Sequence, residues 1–184
     1  FANDECADAT AAVEGVNAFD LTGATTSADA VDASQCASTF YTGPNEDVWF
    51  TWTAPADGAM DLTTCIGGAG SSQDTDMALY DGSCQGLNQI GCNGDGCPSY
   101  GSAIAGTVVT AGQTYLIRMS LWNGGTAAGE FDLTLTPLAA EDCLTPGDED
   151  GDGLADCADP DCVASPNCIE AGNCGDNIDN DGDG

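Results

Sequence analysis

All twelve aromatic residues of this chain (five Phe, four Tyr and three Trp) lie before residue 140, and that fact divides the molecule. A fold driven by apolar burial needs large side chains, and only the front of the chain has them. The acidic residues are spread differently: residues 1–140 hold 17 and residues 141–184 hold 14. The last 44 residues therefore combine dense carboxylates with almost nothing that builds a core. Disulfides and bound metal are the agents left to order them. We expect one domain over 1–140 and a separate region over 141–184, with the boundary near Leu138-Ala139-Ala140.

Charge and cysteine usage narrow the class. There are 31 acidic residues, one basic residue (Arg118) and no His, for a formal net charge of −30. Such a surface repels nucleic acid and anionic lipid, which are bound through Lys and Arg, and it attracts cations. No run is apolar enough to cross a bilayer, so direct membrane insertion is not expected. The eleven cysteines include no CxxC pair and have no His beside them, which disfavours zinc–thiolate sites. Disulfides are the expected state, and with them a secreted, extracellular or cell-surface location. The chain opens at Phe1 without Met, as a mature protein does after its signal is removed.

The front region alternates apolar and polar residues at period two. Val48, Phe50 and Trp52 fall on one face of a strand, as do Met77 and Leu79. Tyr115, Ile117, Met119 and Leu121 share a face with Arg118 opposite, and Phe131, Leu133 and Leu135 share one with Asp132, Thr134 and Thr136 opposite. Weaker strands are expected around Phe19–Thr25, Ala59–Thr64 and Ile104–Val109. Turns are expected at Asp81-Gly82, Asn93-Gly94-Asp95-Gly96 and Asn123-Gly124-Gly125. No segment has a helical period. The expectation is an all-β antiparallel sandwich, jelly-roll-like. Cys6, Cys36, Cys65, Cys84, Cys92 and Cys97 form an even set able to close three disulfides. Cys6–Cys36 is the favoured N-terminal staple, because the other four cluster.

The tail repeats itself. Cys143 aligns with Cys174, and Asp148-Glu149-Asp150-Gly151-Asp152-Gly153 then falls on Asp179-Asn180-Asp181-Gly182-Asp183-Gly184. The first copy, 143–173, carries Asp148, Asp150 and Asp152 at positions one, three and five of a twelve-position calcium loop, with Gly153 at the sharp turn. Leu154 offers its carbonyl at position seven, and Asp156 and Asp159 occupy positions nine and twelve. Calcium takes six to eight hard oxygens, and this spacing wraps them around one ion. Asp at position twelve departs from the usual Glu, and its shorter reach points to weaker affinity. The competing reading is an acidic disordered linker. The second copy starts at Cys174 and holds Asp179, Asp181 and Asp183. Cys143, Cys157, Cys162 and Cys168 make an even set, so Cys174 opens the next repeat, and we expect the natural protein to continue past Gly184.

The tail, with GDEDGDGLADCADPDC and CGDNIDNDGDG, resembles thrombospondin type 3 repeats and helix-free EF-hand loops of secreted surface proteins. The front resembles the bacterial pre-peptidase C-terminal β-sandwich through NDECADAT, EDVWFTWTAPADGAMDLTTC, DTDMALYDGSC and GQTYLIRM. That resemblance implies a noncatalytic module of a secreted protein, of a type that includes binders of calcium, collagen or polysaccharide. It further implies Asp74 and Asp76 as calcium ligands at the sandwich edge, with Asn3, Asp4 or Glu5. Ordinary polar turn residues are the alternative there.

No catalytic constellation is present. The absence of His removes Ser/His/Asp and Cys/His arrangements, and the absence of Lys removes a phosphate-cradling P-loop. Carboxylates are too abundant for any pair to mark a glycosidase. Trp52 fits the core face, whereas Trp49 and Trp122 fall on the opposite faces, free to stack on a sugar or to be covered by a loop. No Asn-x-Ser/Thr sequon occurs. Two functions follow. One is an extracellular, calcium-binding structural or adhesive building block of a filament or matrix, assembling with copies of itself. The other is a noncatalytic carbohydrate- or protein-binding module of a secreted enzyme, with glycans as partners.

Overall fold

The computed structural model describes residues 2–29, 31–36, 45–66, 73–125, 127–139, 141–148, 154–165 and 168. The chain divides into two compact units, Phe1–Pro137 and Leu138–Gly184.

Among the described residues nine strands form the first unit: β1 (Thr10–Ala11), β2 (Gly15–Asp20), β3 (Asp47–Thr53), β4 (Gly58–Thr63), β5 (Thr75–Ser83), β6 (Gly86–Asn93), β7 (Ala103–Val109), β8 (Thr114–Leu121) and β9 (Ala128–Pro137). They make a five-stranded sheet in the order β1-β3-β8-β5-β6 and a four-stranded sheet in the order β2-β9-β4-β7. Every pairing is antiparallel except the short β1 beside β3. The alternating segments supply the facing layers, since successive strand residues point to opposite sides. Val48, Phe50, Trp52, Met77, Leu79, Ile117, Met119, Phe131 and Leu133 are all buried in one apolar cluster. Phe50 and Phe131 meet edge to face across the two sheets, ring centroids 5.0 Å apart. Burial of each such side chain contributes about 1.5–3 kcal/mol. The all-β sandwich is thus the observed fold.

The five-stranded sheet is buried on its outer face as well. Trp49, Ala78, Tyr80 and Leu116 form a second cluster there with Cys6, Cys36 and Cys92. Trp49 is fully buried, so the sugar-stacking alternative for this residue is overturned. Its indole N–H donates to Ser27 Oγ (2.8 Å), and the Arg118 guanidinium lies 5.2 Å from its ring centroid. Arg118 is buried too. It donates to Asp47 Oδ2 (2.6 Å) and to the Asp29 carbonyl (2.8 Å), while Ser27 Oγ donates to Asp47 Oδ1 (2.6 Å). The segments that lie over this face are stapled by Cys6–Cys84 and Cys36–Cys92, with Cys65–Cys97 elsewhere in the unit. The expected Cys6–Cys36 staple is therefore incorrect: both cysteines reach across to the β5–β6 hairpin. Asp81-Gly82 is likewise strand and not turn, paired with Asn88 and Leu87, and the chain reverses at Cys84-Gln85. Gly82 is required for close approach: its φ is +91°, and a Cβ there collides with the Gly86 carbonyl. The weak strand expected at Phe19–Thr25 ends earlier, at Asp20.

Among its described residues the second unit has no comparable core. Cys162 and Cys168 are buried, whereas Leu144 and Val163 are exposed. Disulfides Cys143–Cys162 and Cys157–Cys168 close the even set within the unit. Two single 3-10 turns, Asp156–Ala158 and Pro160–Cys162, are its regular structure among the described residues.

Candidate functional site

A cleft of about 390 Å³ opens beside the start of β5, lined by Asp74, Asp95, Tyr100 and Trp122. Three separate segments supply these side chains. Asp74 immediately precedes β5, Asp95 and Tyr100 come from the β6–β7 connection, and Trp122 follows β8. β5 and β8 are hydrogen-bonded neighbours, and the Trp122 N–H donates to the Asp74 carbonyl (3.0 Å), so the register sets this pair side by side.

A buried hydroxyl knot anchors the β6–β7 connection beneath the cleft. Thr64, Thr75 and Ser102 are all buried, with Thr64 Oγ1 and Thr75 Oγ1 2.8 Å apart and Ser102 Oγ donating to the Thr75 carbonyl (2.6 Å). The Thr75 N–H donates to the Tyr100 carbonyl (3.2 Å), which ties the aromatic wall to β5. Cys65–Cys97 and the Asn93 side chain, accepting from Ala103 N–H (2.9 Å), complete the anchoring. Ser99 and Tyr100 both adopt left-handed backbone, φ +65° and +64°. Two consecutive non-glycine residues held this way is a strained arrangement of the sort that marks binding loops. Tyr100 is 65% exposed and Trp122 40% exposed. The described lining thus combines two exposed aromatic residues with two partly buried carboxylates.

The electrostatics of the cleft are one-sided. Burial raises the Asp74 carboxyl above the ordinary carboxylate range, and the nearby Asp95 charge raises it further. The chain's single basic side chain is committed to Asp47 on the covered face, so it offers these carboxylates no counter-charge. A second, larger groove of about 600 Å³ includes Ala18, Phe19, Phe50 and Gly129, with Asp20 and Glu130, and its described lining carries no exposed aromatic ring.

The residues expected to bind metal fare unevenly. Asp76 is buried in β5 opposite Ser120, whereas Asp74 lines the cleft. The Asp4 carboxylate accepts from Thr25 N–H (2.6 Å) and Thr25 Oγ1 (2.9 Å), and the Asn3 carbonyl from Trp49 N–H (2.8 Å). Asp150 and Asp152 of the first repeat, and Asp179, Asp181 and Asp183 of the second, lie outside the described residues. Asp148, Leu154, Asp156 and Asp159 are described. Asp156 sits in left-handed backbone (φ +52°), with its N–H donating to Glu141 Oε1 (3.0 Å). Asp159 is 3% exposed; its Oδ1 accepts from Asp161 N–H (2.6 Å), and its Oδ2 has no hydrogen-bond partner among the described residues. Among the described residues no three Asp, Glu or Cys side chains gather closely enough to hold a metal. Among the same residues no helix is long and apolar enough to cross a membrane.

Trp122 and Asp74 were singled out from the sequence; Asp95 and Tyr100 were not. Asp95 stood only as a turn residue, and Tyr100 sits in no alternating segment. Their one signal is that they flank Cys97, Asp95 in the Gly94-Asp95-Gly96 turn just before it and Tyr100 three residues after it.

Comparison with known proteins places this architecture. The chain is similar to the pre-peptidase C-terminal domain of a Bacillus anthracis collagenase (9% identity, TM-score 0.41), covering 68% of this chain and 94% of that one. It is also similar to a Podospora anserina GH26-CBM35 β-(1,4)-mannanase (15% identity, TM-score 0.29), covering 73% of this chain and 31% of that one. No curated protein matches. The match that identifies the sandwich is at the family level: the model of a T9SS-associated family described as galactose binding domain-like covers residues 2–133, and the chain belongs to that family.

Proposed function

We propose that the sandwich is a noncatalytic glycan-binding module of an extracellular or cell-surface protein, and that the Asp74–Asp95–Tyr100–Trp122 cleft is its binding site. The cleft carries this reading. Exposed Tyr and Trp faces suit the C–H faces of a sugar ring, and carboxylates accept strong hydrogen bonds from sugar hydroxyls. Membership in a galactose binding domain-like family supports a binding role, and the family and the five disulfides support the location. Of the two functions weighed from the sequence, the filament building block draws no support from this geometry. Screening the full chain against a panel of immobilised glycans tests the reading. The expected result is binding of a restricted set of glycans that Trp122→Ala abolishes. No binding, or binding indifferent to Trp122→Ala, overturns it.

The tail supports a second reading, calcium binding by the 148–159 loop. Asp159, at the expected twelfth position, is buried with one oxygen unsatisfied among the described residues. An unpartnered buried carboxylate oxygen is costly, and a hard cation satisfies it. Asp148, Asp150, Asp152, the Leu154 carbonyl and Asp156 are the companion ligands, and Asp179, Asp181 and Asp183 begin the equivalent set. Isothermal titration with calcium should give saturable heat that Asp150→Ala/Asp152→Ala removes; no heat at millimolar calcium overturns the loop.

A further inference from the structure

The cleft also limits which sugars fit. We infer that it selects a sugar bearing a free protonated amine, with the ammonium between Asp74 and Asp95 and the ring face against Trp122 and Tyr100. This rests on the glycan-binding reading and adds the ligand class.

The argument starts from what the cleft lacks. It places two half-buried carboxylates together and contains no basic side chain. The one base of the chain is fully buried and bonded to Asp47. The surrounding net charge of −30 offers no screening partner. Like charges held in a partly desolvated cleft repel, and an entering cation relieves that repulsion. Asp74 already shows the strain in its raised proton affinity, to which Asp95 contributes. A neutral sugar hydrogen-bonds the carboxylates but leaves their repulsion in place. A uronate or sulfated sugar adds to it.

Two observations separate an organic ammonium from a metal ion. Calcium needs six to eight oxygen ligands, and the described cleft offers two carboxylates. The other two walls are aromatic rings, which are poor ligands for calcium but attract an ammonium through their π faces. An amino sugar uses both kinds of wall at once. Its apolar ring face stacks while its ammonium bridges the acids.

A chain this acidic attracts any polycation, so the test must separate the cleft from the bulk charge. Isothermal titration of the full chain should use short glucosamine oligomers, the matching N-acetylglucosamine and galactose oligomers, and a lysine peptide. Glucosamine oligomers should bind about tenfold more tightly than their acetylated counterparts. Asp74→Asn/Asp95→Asn should abolish that preference, although it removes only two of 31 acidic residues. Trp122→Ala, which changes no charge, should weaken all sugar binding, with near-UV circular dichroism confirming that both variants fold. Affinity for glucosamine should also rise with pH as Asp74 ionises, which burial and the nearby Asp95 charge move above the usual carboxylate range. Equal affinity for the acetylated and free forms overturns the inference and leaves the glycan reading standing. A preference that survives both variants is bulk attraction and also overturns it. Binding of no sugar at all overturns the glycan reading itself, and lysine-peptide binding in that case reassigns the cleft to a protein ligand.

Discussion

The sandwich and the tail bury different kinds of atom. In the sandwich, twenty buried side chains form one apolar cluster between two sheets. In the tail, the buried residues among those described are Cys162, Cys168, Glu141 and Asp159. The first unit is held by hydrophobic burial, with disulfides added on its outer face. Among its described residues the second carries two disulfides and polar contacts, with a buried carboxylate at Asp159. The contrast shows how a chain too acidic to be apolar throughout still orders two regions. All its aromatic residues lie in the first, whereas both regions carry disulfides, three in the first and two in the second.

The sharpest way to break this comparison is to attack the one place where the sandwich also relies on charge. Arg118→Met leaves Asp47 buried without its partner and should cost about 3–5 kcal/mol in denaturant unfolding. Pairing it with Asp47→Leu should recover most of that loss. A cost under 1 kcal/mol for Arg118→Met would mean that apolar burial alone carries the five-stranded sheet. Next in size is the tail's covalent frame. Cys143→Ser/Cys162→Ser opens a loop of sequence separation 19 and should cost the tail about 3 kcal/mol, read as faster proteolysis after residue 138, with the sandwich melt unchanged. A simultaneous fall in the sandwich transition would show that the units are not independent.

A smaller effect comes from the ion. At about a hundredfold excess over its Kd, calcium should stabilise the tail by about 2.7 kcal/mol. Asp159→Asn should lose this gain, yet in chelator it should be as stable as wild type or more so, because it takes a negative charge out of a buried position while keeping the oxygen that accepts from Asp161 N–H. Identical behaviour of the two proteins in calcium and in chelator would detach Asp159 from the metal. The smallest effect is expected in the cleft. A carboxyl whose folded pKa is raised binds its proton more tightly in the folded state. Its destabilising contribution is therefore absent below the unfolded value of 3.8 and grows as pH rises through the folded value. Asp74→Asn should raise Tm by about 1–2 °C at pH 7, and the gain should vanish near pH 3. A gain that persists at low pH would assign it to packing.

The alternating segments made the apolar layers legible, because one sheet face meets the core wherever the pattern is regular. Every residue assigned to the core face of Val48–Trp52, Met77–Leu79, Tyr115–Leu121 and Phe131–Leu135 is buried. β6 was missed, since the edge strand Gly86–Asn93 is only partly buried, with Ile90 against one cluster and Leu87 and Cys92 against the other, and carries no clean alternation. Trp49 was misjudged because alternation describes one covered face, and this sheet has two.

The sequence alone determined the class of fold, the split between an aromatic front and an acidic tail, and the dependence on disulfides. Periodicity, composition and cysteine count are local properties and survive without coordinates. Tertiary structure decided which cysteines pair, which tryptophan is exposed, and that Asp74, Asp95, Tyr100 and Trp122 share one cleft. Those depend on strand order and register, which bring together residues as far apart as Asp74 and Trp122 and leave no trace in local spacing.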